Sequence, residues 1–428
     1  MSFDRRRLLA LPLAAGGALL AGRPAWAGTA SADGSGTATA EGSETTAPAT
    51  GTATATATDS STPAAFEQSV PFTAGEDGYA TYRIPAVVRT GAGTLVAFAE
   101  ARASGSDTGA IVVAAKRSTD GGRSWGPLAV VAGDGTNTQG NPCPVVDPHS
   151  GDIILLTCTN AADATESSIT SGQVPPADGR RVWVQRGTHD GRVFSAPQEI
   201  TAQAKQPDWR WYATGPGHAV ALTSGPFRGR LVVPANHSVP PSAGSSDTGS
   251  EAKYYGGHCL LSDDAGHTWR IGFTDDTPDG VVNANESTAA QLPDGTLYFN
   301  ARDQGGSAPG TRADARSTDG GAHLLHPYAS QPQLAGPAVE GSVLQPSAGP
   351  LLFSGPSAPT TRASMAVRAS NDGGHTWRTA LTLSTAPAGY SDLVQLSPTE
   401  VGLLYETGTS SPYEQLTFAR IPLSTLTD

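Results

Sequence analysis

Short apolar runs bounded by turn-forming residues recur along the chain from about residue 64 to its C-terminus. Representative runs are Thr94–Phe98, Ala110–Ala114, Asp152–Leu156 and Gly402–Tyr405. Runs this short, rich in aliphatic and β-branched residues, are typical of strands. The 51 Gly and 33 Pro residues interrupt any longer helical pattern, because Gly weakens a helix interior and Pro breaks it. The pattern therefore predicts an all-β fold.

The first 63 residues follow two other patterns. Arg5–Arg7 precede an apolar run from Leu8 to Leu20 and a small-x-small site at Ala25–Ala27. The run, about 13 residues long, is too short to span a bilayer, so it predicts a cleaved twin-arginine export signal over residues 1–27 and a secreted protein. An uncut anchor is the alternative. Residues 28–63 are mostly Thr, Ala, Ser and Gly and predict a disordered spacer, which leaves 64–428 as the globular block.

One motif, here called the repeated turn, recurs through the globular block. Clear copies are Ser118–Trp125, Ser262–Trp269 and Ser370–Trp377, and weaker copies are Thr188–Phe194 and Ser317–Gly321. The Asp of each copy is placed to accept backbone N–H groups, the Gly to adopt positive φ, and the aromatic residue to pack beneath the turn. We interpret these motifs as hairpin turns that hold strands together, and not as catalytic groups.

The spacing of the repeated turns predicts the architecture. Their aspartates, at positions 120, 190, 264, 319 and 372, are about 63 residues apart on average, and the 365-residue block holds close to six such units. Six four-stranded units close into a six-bladed β-propeller, which leaves only short, protected sheet edges. A two-sheet sandwich with decorated turns is the alternative. A propeller brings residues that are distant in sequence to one axis.

Charge and motif content exclude several functions. The net charge of −12 and the absence of a basic block beyond the N-terminus argue against a nucleic-acid partner. The nine histidines show no metal-binding spacing, and no nucleophile elbow or phosphate loop is present, so we expect neither a metal nor a cofactor. For Cys143, Cys158 and Cys259 we favour buried thiols; a disulfide across the hairpin that joins Cys143 to Cys158 is the alternative.

Three further segments, added to the repeated turns, resemble a known family. Tyr82-Arg83-Ile84-Pro85 resembles an Arg-Ile-Pro signature, Arg302 follows Glu286 by 16 residues, and Glu406 follows Tyr390 by the same interval. Together these segments resemble the bacterial exo-sialidases (neuraminidases), which are Asp-box propellers. The resemblance covers the block from about residue 66 to the C-terminus. The repeated turns alone would be a weak indication, because unrelated propellers also carry them.

The resemblance implies a substrate-binding set and a nucleophile. Arg83, Arg302 and Arg362 would form a clamp for the carboxylate of sialic acid, a task that suits the planar guanidinium. A neutral Tyr hydroxyl avoids the repulsion that a carboxylate nucleophile would meet beside that anion. Tyr390 is therefore assigned as the nucleophile and Glu286 as the base that takes its proton. Glu406 would orient Arg83.

The family pattern also implies an acid and a hydroxyl-binding pair. Asp107, in a Gly- and Ser-rich loop, would protonate the leaving oxygen and later activate water. Arg102 would bind a ring hydroxyl together with Asn141, where some relatives have Asp. The segment Trp209–Tyr212 and the glycines at 215 and 217 are expected to line the pocket.

The resulting prediction is an exo-α-sialidase that acts on sialylated glycans, glycoproteins or glycolipids, without membrane insertion and as a monomer. A related nonulosonic-acid glycosidase, a trans-sialidase or a non-catalytic sialic-acid-binding propeller are the alternatives. Two Asp-Thr-Gly triplets, beginning at Asp107 and Asp247, suggest an aspartic protease as another alternative. Neither triplet is preceded by the apolar strand residues that such a site needs. A hydrolase that uses two carboxylates would leave the arginines unexplained.

Overall fold

A computed structural model describes residues 66–427 and places most regular structure in strands. The predicted signal (1–27) and spacer (28–63) lie outside the described residues. The first strand is β1 (Glu67–Thr73), and a first antiparallel group follows it. Its strands are β2 (Thr81–Arg89), β3 (Leu95–Arg102), β4 (Ile111–Ser118) and β5 (Ala129–Ala132).

The second group pairs in the order β10-β8-β7-β6, with β9 on β8. It consists of β6 (Thr138–Val146), β7 (Ile153–Asn160), helix α1 (Glu166–Thr170), β8 (Arg181–Thr188), β9 (Val193–Phe194), β10 (Gln198–Glu199) and helix α2 (Thr201–Ala204). A single parallel pair, Ile111 with Thr138, joins β4 to β6, so the first two groups form one nine-stranded sheet.

The next three sheets are separate and antiparallel. The third group pairs as β11-β13-β14-β15, with β12 on β13, whereas the fourth and fifth pair in sequence order. Their elements are β11 (Tyr212–Thr214), β12 (Val220–Ala221), β13 (Leu231–Ser238), a 3₁₀ turn (Ala252–Tyr254), β14 (Tyr255–Ser262), β15 (Arg270–Asp275), β16 (Ala284–Gln291), β17 (Leu297–Asp303), β18 (Arg312–Ser317), β19 (Ala329–Ser330), β20 (Ser342–Leu344), β21 (Leu351–Pro356), β22 (Met365–Ser370) and β23 (Arg378–Thr382).

The last sheet joins the two ends of the described chain. It pairs β1 with β26 in the order β1-β26-β25-β24. Its C-terminal elements are β24 (Ala388–Ser397), β25 (Glu400–Thr407), β26 (Gln415–Pro422) and helix α3 (Ser424–Thr427). Because the first strand completes the last sheet, the ring of sheets is closed by hydrogen bonds.

Apolar clusters between successive sheets show the propeller-like arrangement. One cluster joins the first and second groups through Phe98 and Ile153, and another joins the last sheet to the first group through Phe418 and Leu95. Each remaining pair of successive groups shares a cluster of the same kind. Both faces of an inner sheet are therefore covered, which explains why β3 is buried along its whole length. The prediction of an all-β, propeller-like fold is confirmed.

The repeated turns also bridge neighbouring sheets. In the third clear copy, the carboxylate of Asp372 accepts hydrogen bonds from the N–H of Thr376 at 2.8 Å and from its hydroxyl at 2.6 Å. Gly374 has φ +91°, and a Cβ there would lie 2.5 Å from Tyr298 in the preceding group. Only Gly fits this close approach, so the turn rests directly on the adjacent sheet.

One expectation about the turns is wrong in detail, whereas the expectation of buried thiols is confirmed. Asp190, in the weaker copy Thr188–Phe194, accepts from the hydroxyls of Thr90 and Thr94 and not from its own loop, because His189 and Asp190 both have positive φ. The three cysteines are buried and free. The register of the hairpin places Cys143 opposite Leu156 and Cys158 opposite Gly140, so the two thiols do not face each other across it.

Candidate active site

A cavity of about 220 Å³ contains eight of the nine predicted site residues, and the ninth, Glu406, lies directly behind one of them. The predicted residues that line the cavity are Arg83, Arg102, Asp107, Asn141, Glu286, Arg302, Arg362 and Tyr390. They come from the first, second, fourth, fifth and last groups of strands. The fold therefore brings together residues that are more than 300 positions apart in the chain.

β-Bulges aim the inner-strand residues into this cavity. The ladder register shifts at Arg83 in β2, at Asn141 in β6, at Glu286 in β16 and at Tyr390 in β24. A bulge bends its strand and turns a side chain out of the regular alternation. In each of these strands the residue that reaches the cavity lies at or directly beside the interruption.

Arg83 is held from behind by a buried carboxylate. Its Nε and Nη2 donate to the two oxygens of Glu406 at 3.1 and 3.2 Å, and Glu406 also accepts the N–H groups of Ile84 and Tyr390, each at 3.0 Å. Glu406 is fully buried. A bidentate pair with this support holds the guanidinium in one orientation, and its Nη1 edge remains directed toward the cavity.

Tyr390, Glu286 and Arg302 form a compact triad. The Tyr390 hydroxyl lies 2.7 Å from both carboxylate oxygens of Glu286, to which it donates its proton. Arg302 Nη1 donates to Glu286 at 3.0 Å and to the Tyr390 oxygen at 3.2 Å. The Nε of Arg302 is buried and has no partner among the described residues. This arrangement couples a hydroxyl to a base with a cation alongside.

The charge of Tyr390 follows from its surroundings. Burial raises the pKa of the Tyr390 hydroxyl well above its ordinary value, and the negative charge of Glu286 acts in the same direction, whereas Arg302 and Arg83 oppose it. The phenol is therefore neutral in the free protein. It needs a base to become a nucleophile, and Glu286 is in contact with it.

Arg362 reaches the cavity from the loop between β21 and β22. Its Nη1 donates to the hydroxyl of Tyr413 at 2.7 Å, and its guanidinium lies 5.6 Å from the ring centre of Tyr390. Arg83 lies over the Tyr413 ring at 4.3 Å. Tyr413 thus supports two of the three arginines. Sequence reasoning missed it, because no motif surrounds it.

Asp107 lies at the mouth of the cavity with a side chain that is 80% exposed. Its Oδ1 accepts from Arg102 at 2.6 Å and from Arg83 at 3.3 Å. Burial alone would raise the pKa of Asp107, but the charge and hydrogen bond of Arg102, with the charges of Arg83 and Arg362, lower it. The carboxyl is therefore ionised in the free protein and tethered to two arginines.

Arg102 and Asn141, predicted to bind the same substrate hydroxyl, are linked through Glu100. Arg102 donates to Glu100, and the other oxygen of Glu100 accepts the N–H of Asn141 at 2.9 Å. The side-chain oxygen of Asn141 instead accepts from Arg180, which stacks on Trp211 at 4.4 Å. Positive φ at Asn141 turns its side chain toward Arg180. Glu100 and Arg180 were not found from the sequence, because each lies outside the motifs.

Only one residue of the predicted aromatic segment lines the cavity. Trp211 does so, whereas Trp209 and Tyr212 belong to the apolar cluster between the second and third groups. The glycines at 215 and 217 are not part of the cavity lining.

Within residues 66–427 no cluster of three His, Cys, Asp or Glu side chains is arranged to hold a metal ion. No helix of that range is long and apolar enough to cross a membrane.

Known proteins of one family match most of this chain. The model of the family described as "BNR repeat-like domain" matches residues 93–403. A sialidase of Micromonospora viridifaciens is 31% identical over 362 residues, which cover 81% of this chain and 53% of that protein. An exo-alpha-sialidase of Aspergillus fumigatus is 32% identical over 314 residues and is matched over 69% of both chains. The chain belongs to the BNR-repeat sialidase family.

A solved structure of a sialidase shares the fold. The Hadza microbial sialidase Hz136 superposes with a TM-score of 0.71 at 26% identity, over 84% of this chain and 69% of that one. The region of this chain that matches spans about half the length of the Micromonospora protein and about two thirds the length of each of the other two.

Proposed function

We propose that the protein is an exo-α-sialidase that hydrolyses terminal sialic acids with retention of configuration through a tyrosyl-enzyme intermediate. The observation that carries the proposal is the Tyr390 hydroxyl held at 2.7 Å from Glu286 and contacted by Arg302. A binding module without chemistry would need neither the hydroxyl–carboxylate pair nor an exposed carboxyl at the mouth. Transfer to a sugar acceptor and action on a related nonulosonic acid are the alternatives.

The three arginines would hold the substrate carboxylate. Arg83 is oriented by Glu406, Arg302 contacts the Tyr390 hydroxyl, and Arg362 lies 5.6 Å from the centre of the Tyr390 ring. The unpartnered Nε of Arg302 and the Nη1 edge of Arg83 are donors that a carboxylate can accept from. Fixed cations of this kind bind the anion without reorganisation of the site.

In the first step the Tyr390 oxygen attacks the anomeric carbon while its proton passes to Glu286. The bond between that carbon and the glycosidic oxygen breaks, and Asp107 gives its proton to the leaving oxygen. In the second step Asp107 takes a proton from water, whose oxygen attacks the same carbon. The bond to Tyr390 breaks and Glu286 returns the proton to the phenol. Two displacements at one carbon give net retention.

Asp107 must be protonated for the first step, although its pKa is lowered in the free protein. A bound substrate carboxylate would neutralise part of the charge of Arg83 and Arg362 and would compete with Asp107 for Arg83. Both effects raise the pKa of Asp107. Its place in an exposed loop leaves the side chain room to turn toward the leaving oxygen. Substrate binding would thus prepare the acid.

We further propose that the propeller has six blades. The single parallel pair between β4 and β6 is the only ladder contact joining the first two groups within the described residues, and each group packs on its neighbours through its own apolar cluster. Counting these two groups separately supports six units.

We also propose that residues 1–27 direct export, that 28–63 form a spacer, and that the block 64–428 acts outside the cell as a monomer on sialylated glycans, glycoproteins or glycolipids. Protein recovered from the culture medium should then begin at Gly28.

Release of a fluorogenic aryl group from its α-sialoside tests the activity. We expect release by the full chain and none by boiled protein. A folded protein, verified by a cooperative thermal transition, that releases no fluorophore would contradict the proposal. A sialylated acceptor product in place of free sialic acid, with an added sugar present, would favour transfer over hydrolysis.

A further inference from the structure

A second cavity, of about 700 Å³, lies outside the site described above. We call it the flank groove. One wall is β5 with the loop that follows it, and the other is the face of β8 that carries Arg181, Trp183 and Gln185. Alternate residues of a strand share a face, so these three side chains point into the groove together. Its volume is in the range of ordinary ligand sites.

The flank groove begins beside the loop of Asp107. Thr138 lines both this groove and the active-site cavity. Its hydroxyl accepts the N–H of Gly109 at 3.1 Å and donates to the carbonyl of Gly109 at 3.2 Å, so the end of the Asp107 loop rests on it. A sugar whose oxygen is protonated by Asp107 would leave the cavity at this loop. The next part of a glycan would then lie at the opening of the flank groove.

The lining suits a neutral polyhydroxy ligand. Trp183 is half-buried, and its indole N–H donates to the Thr159 hydroxyl at 2.8 Å, which fixes the ring. A fixed aromatic ring stacks on the apolar C–H face of a hexopyranose. The charges along the groove balance, with two acidic side chains and two basic ones: Asp134, Asp178, Arg181 and Arg192. Such a lining offers hydrogen bonds to hydroxyls and has no excess charge to attract an ion.

The free edge of β5 disfavours a peptide strand as the occupant. Gln185 Nε2 donates to the carbonyl of Val131 at 2.9 Å, so a carbonyl that an added strand would need is already used.

We propose that the flank groove binds the neutral sugar residues that follow the scissile bond in a long sialylated glycan. The proposal rests on the proposed sialidase activity. It makes the groove a determinant of preference for extended glycans over short sialosides.

Blocking the groove tests the proposal by kinetics. Ala129→Trp fills it from the outer strand β5, and Ala329→Trp makes the same change at an exposed position of the outer strand β19 as a control. We expect Ala129→Trp to lower kcat/KM for a sialylated hexasaccharide by about threefold to tenfold, through KM, the size of one lost aromatic contact. Its kcat/KM for an aryl sialoside should equal that of the parent and of the control. Unchanged values for the hexasaccharide, or equal losses on both substrates, would overturn the proposal.

Direct binding separates failure of the groove from failure of the activity. The probe is the same oligosaccharide without its sialic acid, measured by saturation-transfer NMR with the full chain. We expect transfer to its sugar protons that is lost in Ala129→Trp and in Trp183→Ala but retained in Ala329→Trp. Absence of transfer in the parent would overturn the groove proposal even if the aryl sialoside is cleaved. Transfer that survives both groove variants, or displacement of the sugar by an extended peptide, would also overturn it.

Discussion

The repeated turns and the catalytic centre use the same interactions over very different distances in the chain. In the turn at Asp264, the carboxylate accepts from Thr268, four residues away. In the centre, Arg83 pairs with Glu406, 323 residues away, and Tyr390 with Glu286, 104 residues away. The hydrogen bonds inside the clear copies of the turn join residues only two to four positions apart, whereas the centre exists only when the ring of sheets has closed.

The two regions also differ in how completely their polar groups are satisfied. In the turn that begins at Ser262, the serine hydroxyl donates to Asp264 and accepts the N–H of Gly266. In the centre, the buried Nε of Arg302 has no partner among the described residues. An unpaired buried donor costs stability, and a substrate anion would remove that cost. The turns are therefore arranged for stability, and the centre is arranged for a ligand.

Loss of the nucleophile should have the largest effect. Tyr390→Phe removes the hydroxyl that attacks the anomeric carbon, so we expect kcat for a natural sialoside to fall on the order of a thousandfold or more. The control is Tyr405→Phe, which removes a hydroxyl that accepts from Gln68 outside the cavity. Steady-state kinetics on both variants checks this. Near-parental activity of Tyr390→Phe would contradict the assignment of Tyr390 as the nucleophile.

Loss of the acid should depend on the leaving group. Asp107→Ala should lower kcat/KM about a hundredfold or more for a natural glycoside, whose leaving oxygen needs a proton, and far less for an activated aryl sialoside. Asp247→Ala alters the other Asp-Thr-Gly triplet and serves as the control. Equal losses on the two substrates would show that Asp107 is not the acid.

Glu406→Gln should weaken both binding and stability. It removes the negative charge that pairs with buried Arg83, and breaking a buried pair costs about 3 kcal/mol of the free energy of unfolding. We also expect a higher KM, because Arg83 loses its orientation. The control is Glu400→Gln, in the same strand but paired with Arg420 nearer the surface. It should have little effect on either KM or the free energy of unfolding. Chemical denaturation and kinetics measure the two effects, and a KM equal to that of Glu400→Gln would contradict the orienting role.

Changes in a repeated turn should affect stability and leave catalysis unaltered. Asp372→Ala removes the acceptor for Thr376, and we expect a loss of about 1–2 kcal/mol after allowance for solvent screening, with unchanged KM. The control is Asn371→Ala. A loss of activity without loss of stability would contradict the division between the two regions.

The same turn predicts an acid dependence of stability. Partial burial would raise the pKa of Asp372, but the hydroxyl and N–H of Thr376 and the hydroxyl of Ser370 lower it to about 2. The stabilisation is therefore complete above the ordinary Asp pKa of about 4 and is lost as the pH falls from there to about 2. The difference in unfolding free energy between the parent and Asp372→Ala should shrink over this range. A constant difference would contradict the charge-based account.

The sequence predicted the repeated turns more completely than it predicted the catalytic centre. The apolar runs and the Ser-x-Asp turns predicted strands and hairpins, because both depend on neighbouring residues. The site residues were assigned through a resemblance to a family, carried by short motifs and their spacing, and Glu100, Arg180 and Tyr413 were missed. Their contacts depend on bulges and on closure between sheets, which no local pattern encodes. The register shift at Asn141, which directs its side chain to Arg180, is such a case.

Covalent trapping identifies the nucleophile directly. A sialyl fluoride with a second fluorine at C3 slows the second displacement, so the intermediate accumulates and can be located by mass spectrometry of peptides. We expect a single adduct on Tyr390 that is absent from Tyr390→Phe. An adduct on Glu286, on Asp107 or on another side chain, or turnover of the reagent with inversion and no adduct, would contradict it.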